Sequence, residues 1–393
     1  MIWNVSGEPK PHTATVVGYH GYQNLGDDIF RNLVCQWLNN SFKIDTCYIS
    51  TKRGTTEYSD AKMHVIPFST PITRINRLLW LTVFKKSLES NALIFSAGSI
   101  FTIQPFFLIY LMLRLLRLFR GKKLKILALG VSIGPFHNRR DQYWCLKGLS
   151  LMDCIMVRDS QSQMLLDEAK QHINAKLSFD LALCWKQTPA IPKLAGRAPI
   201  LGLVITERAW GLCTATHSAN CTAMSQMLQD TLTKFKEIEI RVLCVCSDER
   251  DGDRLISQHL HEILSKKWQH RVELRYYENN NVEQMLTRIA ECSSLISARM
   301  HAGIMGILAS VPVYQISYAE KIQNFYLHSE LSTQYLADHT TLNLQSISEF
   351  ISMSMTGQLQ SFATAQRTIL EEKGKLVSQE LGELAKKLVL NQL

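Results

Sequence analysis

Short β-rich runs alternate with helical stretches of ten or more residues along most of the chain, and this alternation restricts the fold more than any other feature. Thr13–Tyr19, Phe42–Ile49, His64–Phe68, Ala92–Ser96, Lys125–Val131, Cys154–Val157 and Leu177–Phe179 read as strands. Helical runs near 27–39, 72–87, 104–120, 140–152 and 160–170 fall between them. Strands so separated do not pair as hairpins; they form a parallel sheet with helices on its faces. The pattern stops at "WKQTPAIPKLAGRAPI" (185–200), where three prolines and a glycine mark a linker. It then resumes through "PILGLVIT", "IEIRVLCVC", "RVELRYY", "SLIS" and "VPVYQIS", with helices at 217–236, 253–266, 281–292 and 301–309, and a tail of two helices. The expected architecture is α/β: two Rossmann-like domains facing across a cleft, at 1–190 and 191–345, followed by C-terminal helices at 346–393. Ligands of such sheets bind outside the carboxyl ends of the strands.

Composition narrows the class. With 393 residues, 46% hydrophobic and 20% charged, the chain is long and apolar enough for two folded domains. Its ten cysteines include no C-x-x-C pair, so buried thiols are expected and no metal site. The N-terminus lacks a basic segment followed by an apolar one, so no secretory signal is expected. The longest apolar run, Phe106–Leu113, has eight residues, against the roughly 20 that span a bilayer. A cytoplasmic protein is expected. The net charge of +9 comes without a zinc finger, RNP motif or aromatic-studded basic strand, so nucleic acid is not an expected partner. Two apolar segments, 74–86 and 106–123, are edged by Arg74, Arg77, Lys85, Arg114, Arg117 and Arg120. They read either as buried helices with a solvated basic edge or as a face resting on an anionic membrane surface.

Seven strand ends carry residues that chemistry uses. "GYHGYQNLGDDIF" (18–30) is a glycine-rich turn before a helix, but it matches neither G-x-G-x-x-G nor a P-loop. Asp27 there could simply cap the helix. "SAGSIF" (96–101) and "GVSIGPF" (130–136) are small-residue turns; "VRDSQS" (157–162) ends a strand in Arg158, and "SFDLAL" holds Asp180. "SARMHAGIMGILAS" (297–310) sets Arg299 and His301 at a helix start, where unpaired N–H groups and a guanidinium fork favour an anion. His301 could reach the same ligand as a general acid. With Lys321 in "ISYAEK" and the strand-ending Arg158, a cationic cluster is expected.

In their order, these motifs resemble the polysaccharide pyruvyl transferase family. "GYHGYQNLGDDIF" is similar to its opening G-Y-x-G-x-x-N-x-G-D-[DE], "GVSIGP" to its G-x-G-I-G-P, "VRDSQS" to its R-D-x-x-S and "SFDLAL" to its D-x-A strand end. "SARMHAGIMGILASVPVYQISYAEKIQNF" resembles its R-x-H-x-x-I-x-A … Y-x-x-K block. The matches run from 16 to 325. One turn departs: where the family has G-G-G followed by Gln or Asp, this chain has Ser96-Ala97-Gly98-Ser99, with Gln104 the nearest polar residue.

The resemblance implies a fold similar to the two-domain GT-B glycosyltransferases. It also implies transfer of the carboxyethylidene group of phosphoenolpyruvate to a sugar of a polysaccharide or its lipid-linked precursor, releasing phosphate. Arg158, Arg299 and Lys321 are then the donor-binding cations, and His301 the acid that protonates the donor's methylene carbon. Asp27 is a second catalytic group, as acceptor ligand or base, and Asn24, Gly26, Gly98 and Ser99 contact the acceptor. No metal or cofactor is needed beyond phosphoenolpyruvate as co-substrate. A lipid-linked acceptor would place the protein at the inner face of the plasma membrane. Two rivals stay open: a nucleotide-sugar glycosyltransferase, against which counts the lack of an E-x7-E motif after 201–206, and a non-catalytic membrane-associated member.

Overall fold

The computed structural model describes residues 12–389, except 43, 52–58, 61–62, 70–76, 97, 103–104, 170, 187–197, 211–216, 249–251 and 279–280. Most of the expected linker, together with Arg74, Ala97 and Gln104, lies outside the described residues.

In chain order the first sheet region runs β1 (Thr13–His20), α1 (Leu25–Phe42), β2 (Thr46–Thr51), β3 (Ser59–Asp60), β4 (Met63–Ser69), α2 (Arg77–Glu89), β5 (Ala92–Phe95), α3 (Phe106–Arg120), β6 (Lys125–Val131), α4 (Arg139–Leu149), β7 (Cys154–Val157), α5 (Ser160–Asp167) and β8 (Ala175–Leu177). The strands order as β3-β4-β2-β1-β5-β6-β7-β8, and all pair in parallel except β3 with β4. Successive strands leave β1 in one direction and resume from β5 in the other, so the order reverses between β1 and β5. Central strands of a sheet covered on both faces are apolar throughout. The first five residues of β1 and the last six of β6 are accordingly buried.

The second region runs β9 (Ile200–Val204), α6 (Glu207–Trp210), α7 (His217–Lys234), β10 (Glu239–Cys244), α8 (Arg254–Trp268), β11 (Val272–Tyr276), α9 (Val282–Ala290), β12 (Ser294–Ser297), α10 (Met300–Leu308), β13 (Val313–Ser317), α11 (Glu320–His328), β14 (Leu336–Asp338), α12 (Leu344–Met355) and α13 (Gln360–Val389). Its six strands are all parallel in the order β11-β10-β9-β12-β13-β14, with the reversal between β9 and β12. The expected tail of two helices corresponds to α12 and α13. The edge strand β14 and the antiparallel β3 escape the periodicity because each is only two or three residues long.

By their contacts the residues form two units. The first takes the chain up to Gly21, Ile29–Leu181 and the residues from Lys375 on; the second takes Tyr22–Asp28 and Ala182–Gly374. The second unit starts at Ala182 where 191 was expected and runs to Gly374 where 345 was expected. The opening loop groups with the second unit, and the last helix is divided between both. In the first unit the end of α13 closes over α1 and β8: Trp37 Nε1 donates to the Leu381 carbonyl at 3.1 Å, and Lys176 pairs with Glu380 at 3.0 Å. Val377 on the same stretch is fully buried.

Two residues of the expected basic edge turn out to be structural. Arg117 donates to the carbonyls of Leu151, Gly121 and Leu124 at 2.8, 3.0 and 2.8 Å and to Asp153 at 2.7 Å. Arg120 donates to the carbonyls of Leu88 and Ser90. These bonds satisfy backbone acceptors that the ends of α2 and α3 would otherwise leave open. Both guanidinium groups therefore serve the fold.

Candidate active site

The second unit gathers most of the expected chemistry at the carboxyl edge of its sheet. Arg299 follows β12, at the reversal point, and occupies the N-cap position of α10 in an extended conformation. Its Nε and Nη2 donate to the two oxygens of Asp253 at 2.8 and 2.7 Å. Asp253 stands at the start of α8 but makes no capping bond, because its carboxylate goes to Arg299. Burial would lower the Arg299 pKa, yet the bonds to Asp253 outweigh it and hold the guanidinium raised and charged. Burial also pushes the Asp253 carboxyl above its ordinary value, against the pull of Arg299. Among the described residues nothing bonds to Nη1, so one edge of the fork is fixed by the protein and the other is not.

The opening loop completes this edge. Leu25 N–H donates to the Val245 carbonyl and Ser247 N–H to the Gln23 carbonyl, each at 3.0 Å, and Asn24 forms an antiparallel bridge with Cys246. Gln23 adopts a left-handed backbone with φ of 52°, a conformation that costs a non-glycine residue on the order of 1–3 kcal/mol. Its carbonyl and its side chain, the latter 2.9 Å from Ser247 Oγ, hold it there. Asp28 is fully buried and accepts from Tyr277 Oη at 2.7 Å. The expected cap of α1 is corrected: the helix starts at Leu25, and Asn24 rather than Asp27 stands before it. Asn24 Oδ1 accepts from Gly26 N–H at 3.2 Å, and its Nδ2 donates to Asp27 at 2.7 Å, so Asp27 lies in the first turn.

The third glycine of the loop, Gly26, has a steric reason. A Cβ at this position would come within 2.0 Å of His301 Nδ1, so only hydrogen leaves room for the imidazole. Loop and His301 are thereby seated together beside Arg299. Lys321 lies in the first turn of α11 after β13, the strand next to β12, and is exposed. Cys246 lines the same edge, but burial pushes its thiol up to about 11, so it is not a nucleophile near neutral pH.

The remaining predicted residues belong to the first unit. Arg158 follows β7 and is 5% exposed. It donates to Asp180 at 2.7 Å and to Ser132 Oγ at 2.9 Å, and its guanidinium lies 6.0 Å from the Phe30 ring. A Cβ at Gly98 would meet Arg158 Nη1 at 2.3 Å. The turn at 98–101 is stitched to the end of β6, with the Gly98 carbonyl accepting from Ser132 N–H at 2.6 Å. Ser99 is half-buried, and its carbonyl accepts from Thr102 at 2.9 Å. Three predicted motifs and the small-residue turn thus interlock in one buried network, with Arg158 at its centre. Of the expected cations, Arg299 and Lys321 belong to the second unit and Arg158 to the first. Asp159 caps α5, accepting from Ser162 N–H at 2.8 Å.

Sequence reasoning missed Asp253, Tyr277 and Cys246. The available signal for Asp253 was the acid-rich "SDERDGDR" directly after the apolar run "RVLCVC".

Solved structures share this architecture along nearly their whole length. Anabaena Alr3699/HepE, determined with UDP and glucose, is 12% identical over 95% of this chain and 99% of that one, with a TM-score of 0.55. A UDP-N-acetylglucosamine 2-epimerase is 11% identical over 95% and 96%, with a TM-score of 0.59. A glycosyltransferase from Rickettsia africae ESF-5 is 11% identical over 97% and 99%, also at 0.59. At such identities the likeness defines the fold: two Rossmann-like domains of the kind found in GT-B glycosyltransferases and related epimerases. No curated protein matches the sequence significantly. The family model for polysaccharide pyruvyl transferase matches residues 24–320, and the chain belongs to that family. The family is one of transferases in polysaccharide biosynthesis.

Proposed function

We propose that the protein transfers the carboxyethylidene group of phosphoenolpyruvate to a pair of sugar hydroxyls, giving a pyruvate ketal and phosphate. The observation that supports this most is the seat of His301 against Gly26, beside an Arg299 fixed along one edge only. Phosphoenolpyruvate carries a phosphate and a carboxylate, so it needs cations around it. The unbonded edge of Arg299, the N-terminus of α10 and Lys321 supply them. His301 gives a proton to the methylene carbon, which builds positive charge at C2. One sugar hydroxyl adds there and loses its proton, phosphate departs with its oxygen, and the second hydroxyl closes the ketal with loss of its own proton. Asp27 accepts one of these protons, and Asn24 and Gly26 contact the acceptor. Arg158 is left out of the donor set, because Asp180 and Ser132 already engage it.

Incubation with phosphoenolpyruvate and a panel of free and lipid-linked oligosaccharides tests the reading. The expected result is a ketal mass gain on one acceptor with stoichiometric phosphate. Thermal stabilisation by UDP-glucose, and none by phosphoenolpyruvate, would instead make this a nucleotide-sugar enzyme.

A further inference from the structure

The helix α3 is apolar on both sides. Its inner side, with Phe106, Ile109, Met112, Leu113 and Leu116, is buried in the core of the first unit. Its outer side carries Phe107, Leu111, Arg114 and Leu118, spaced four, three and four residues apart, a spacing that sets them in one line along the helix. A helix on the surface of a globular domain ordinarily places polar residues there. Here Leu118 is 76% exposed and the neighbouring Phe119 64%.

The apolar row continues on both flanking helices. On α2, Leu81 is exposed, and the Phe84 ring lies 6.4 Å from that of Phe119. On α4, Trp144 stacks edge-on against Phe107 at 4.8 Å and lies 5.3 Å from Tyr110, with Tyr143 exposed beside it. Around this face stand exposed cations: Lys85, Arg114, Lys122, Lys123, Arg139 and Arg140. Two acids stand nearby, Glu89, 4.0 Å from Lys86, and Asp141, which accepts from Asn138 at 2.9 Å; of the cations, Lys122 pairs with Asp153 at 3.1 Å.

We infer that the outer faces of α2, α3 and α4 rest on an anionic lipid surface. Leu81, Phe107, Leu111, Leu118 and Phe119 enter the headgroup boundary, and the cationic rim meets the phosphates. Large exposed apolar patches with a polar rim mark interaction sites. The excess of cations over acids on this rim selects an anionic partner. A second copy docked through the same face would bring two cationic rims together, which disfavours self-association. Tyr and Trp at the border supply the amphipathic rings that settle at membrane–water interfaces. Among the described residues no helix is long and apolar enough to cross a membrane, so the contact is peripheral. The inference stands apart from the pyruvyl reading, and a negative transfer assay leaves it intact.

The test is co-sedimentation of the full chain with vesicles of phosphatidylcholine alone or mixed with phosphatidylglycerol. Mixed vesicles should retain the protein at low salt and at least tenfold less at high salt, while neutral vesicles retain little. Leu111→Ser combined with Leu118→Ser should cut retention at least tenfold, and Lys85→Glu combined with Lys123→Glu should do so on mixed vesicles. The unfolding midpoint should stay unchanged, since these side chains are exposed. Absence of retention on mixed vesicles at low salt overturns the inference, as does retention that both double variants leave intact. A dimer in sedimentation velocity that Leu111→Ser with Leu118→Ser dissociates, without vesicle binding, assigns the face to a second copy instead.

Discussion

Each unit has a glycine whose missing side chain makes room for a charged or titratable group near the reversal point of its sheet. In the first unit Arg158 fills the space at Gly98; in the second His301 fills the space at Gly26. The surroundings differ. Arg158 is 5% exposed, and Asp180, fully buried, takes it together with Ser132. In the second unit Arg299, next to His301, has a side chain that is 23% exposed and is bonded along one edge. The same local device therefore serves cohesion in one sheet and, under the proposed function, presents chemistry in the other.

The largest effect expected from this contrast falls on turnover. His301→Ala should lower kcat by about 10²–10⁴-fold, the ordinary contribution of general acid catalysis, with donor binding and unfolding midpoint retained. Turnover near that of the parent under saturating donor would remove His301 from the mechanism.

The ion pairs should separate next. Asp180→Ala strands the Arg158 charge in the interior and should cost about 3–5 kcal/mol in urea unfolding. Asp253→Ala leaves Arg299 able to turn toward water, so its stability cost should be smaller and its main effect a weaker affinity for phosphoenolpyruvate. Equal stability losses for the two variants would break the comparison.

The glycines give the finest test. Gly98→Ala should cost about 1–3 kcal/mol of stability, the usual price of overpacking, with kcat largely kept in the folded fraction. Gly26→Ala should push the imidazole aside and lower kcat by up to about 10²-fold, since a displacement near 1 Å can cost that much. Unfolding midpoints and single-turnover rates on both variants decide whether the assignments hold or exchange.

The fold was legible because strand and helix periods differ and both sheets are long. The site was legible in part. Arg158 and Arg299 look alike in the chain, each ending a strand and starting a helix, and sequence cannot say which carboxylate each will meet. Asp180 was already singled out, yet nothing in its local pattern pairs it with Arg158, 22 residues earlier. Asp253 lies 46 residues before Arg299 and looks like a helix cap. Its true partner depends on β10, β9 and β12 lying side by side. The cap of α1 was misplaced because Asn24 and Asp27 are both good capping residues and only their mutual bond orders them.

The end of α13 bears on how the chain folds as it is made. The first unit is closed by residues from Lys375 on, while the rest of it ends at Leu181. Ribosomes add about 5–20 residues per second, so on the order of 10–40 s separate the emergence of these two parts. During that interval Trp37 lacks its acceptor at Leu381 and Lys176 its partner at Glu380. The domain that begins first is completed last, and its nascent form exposes the surface that Val377 later covers.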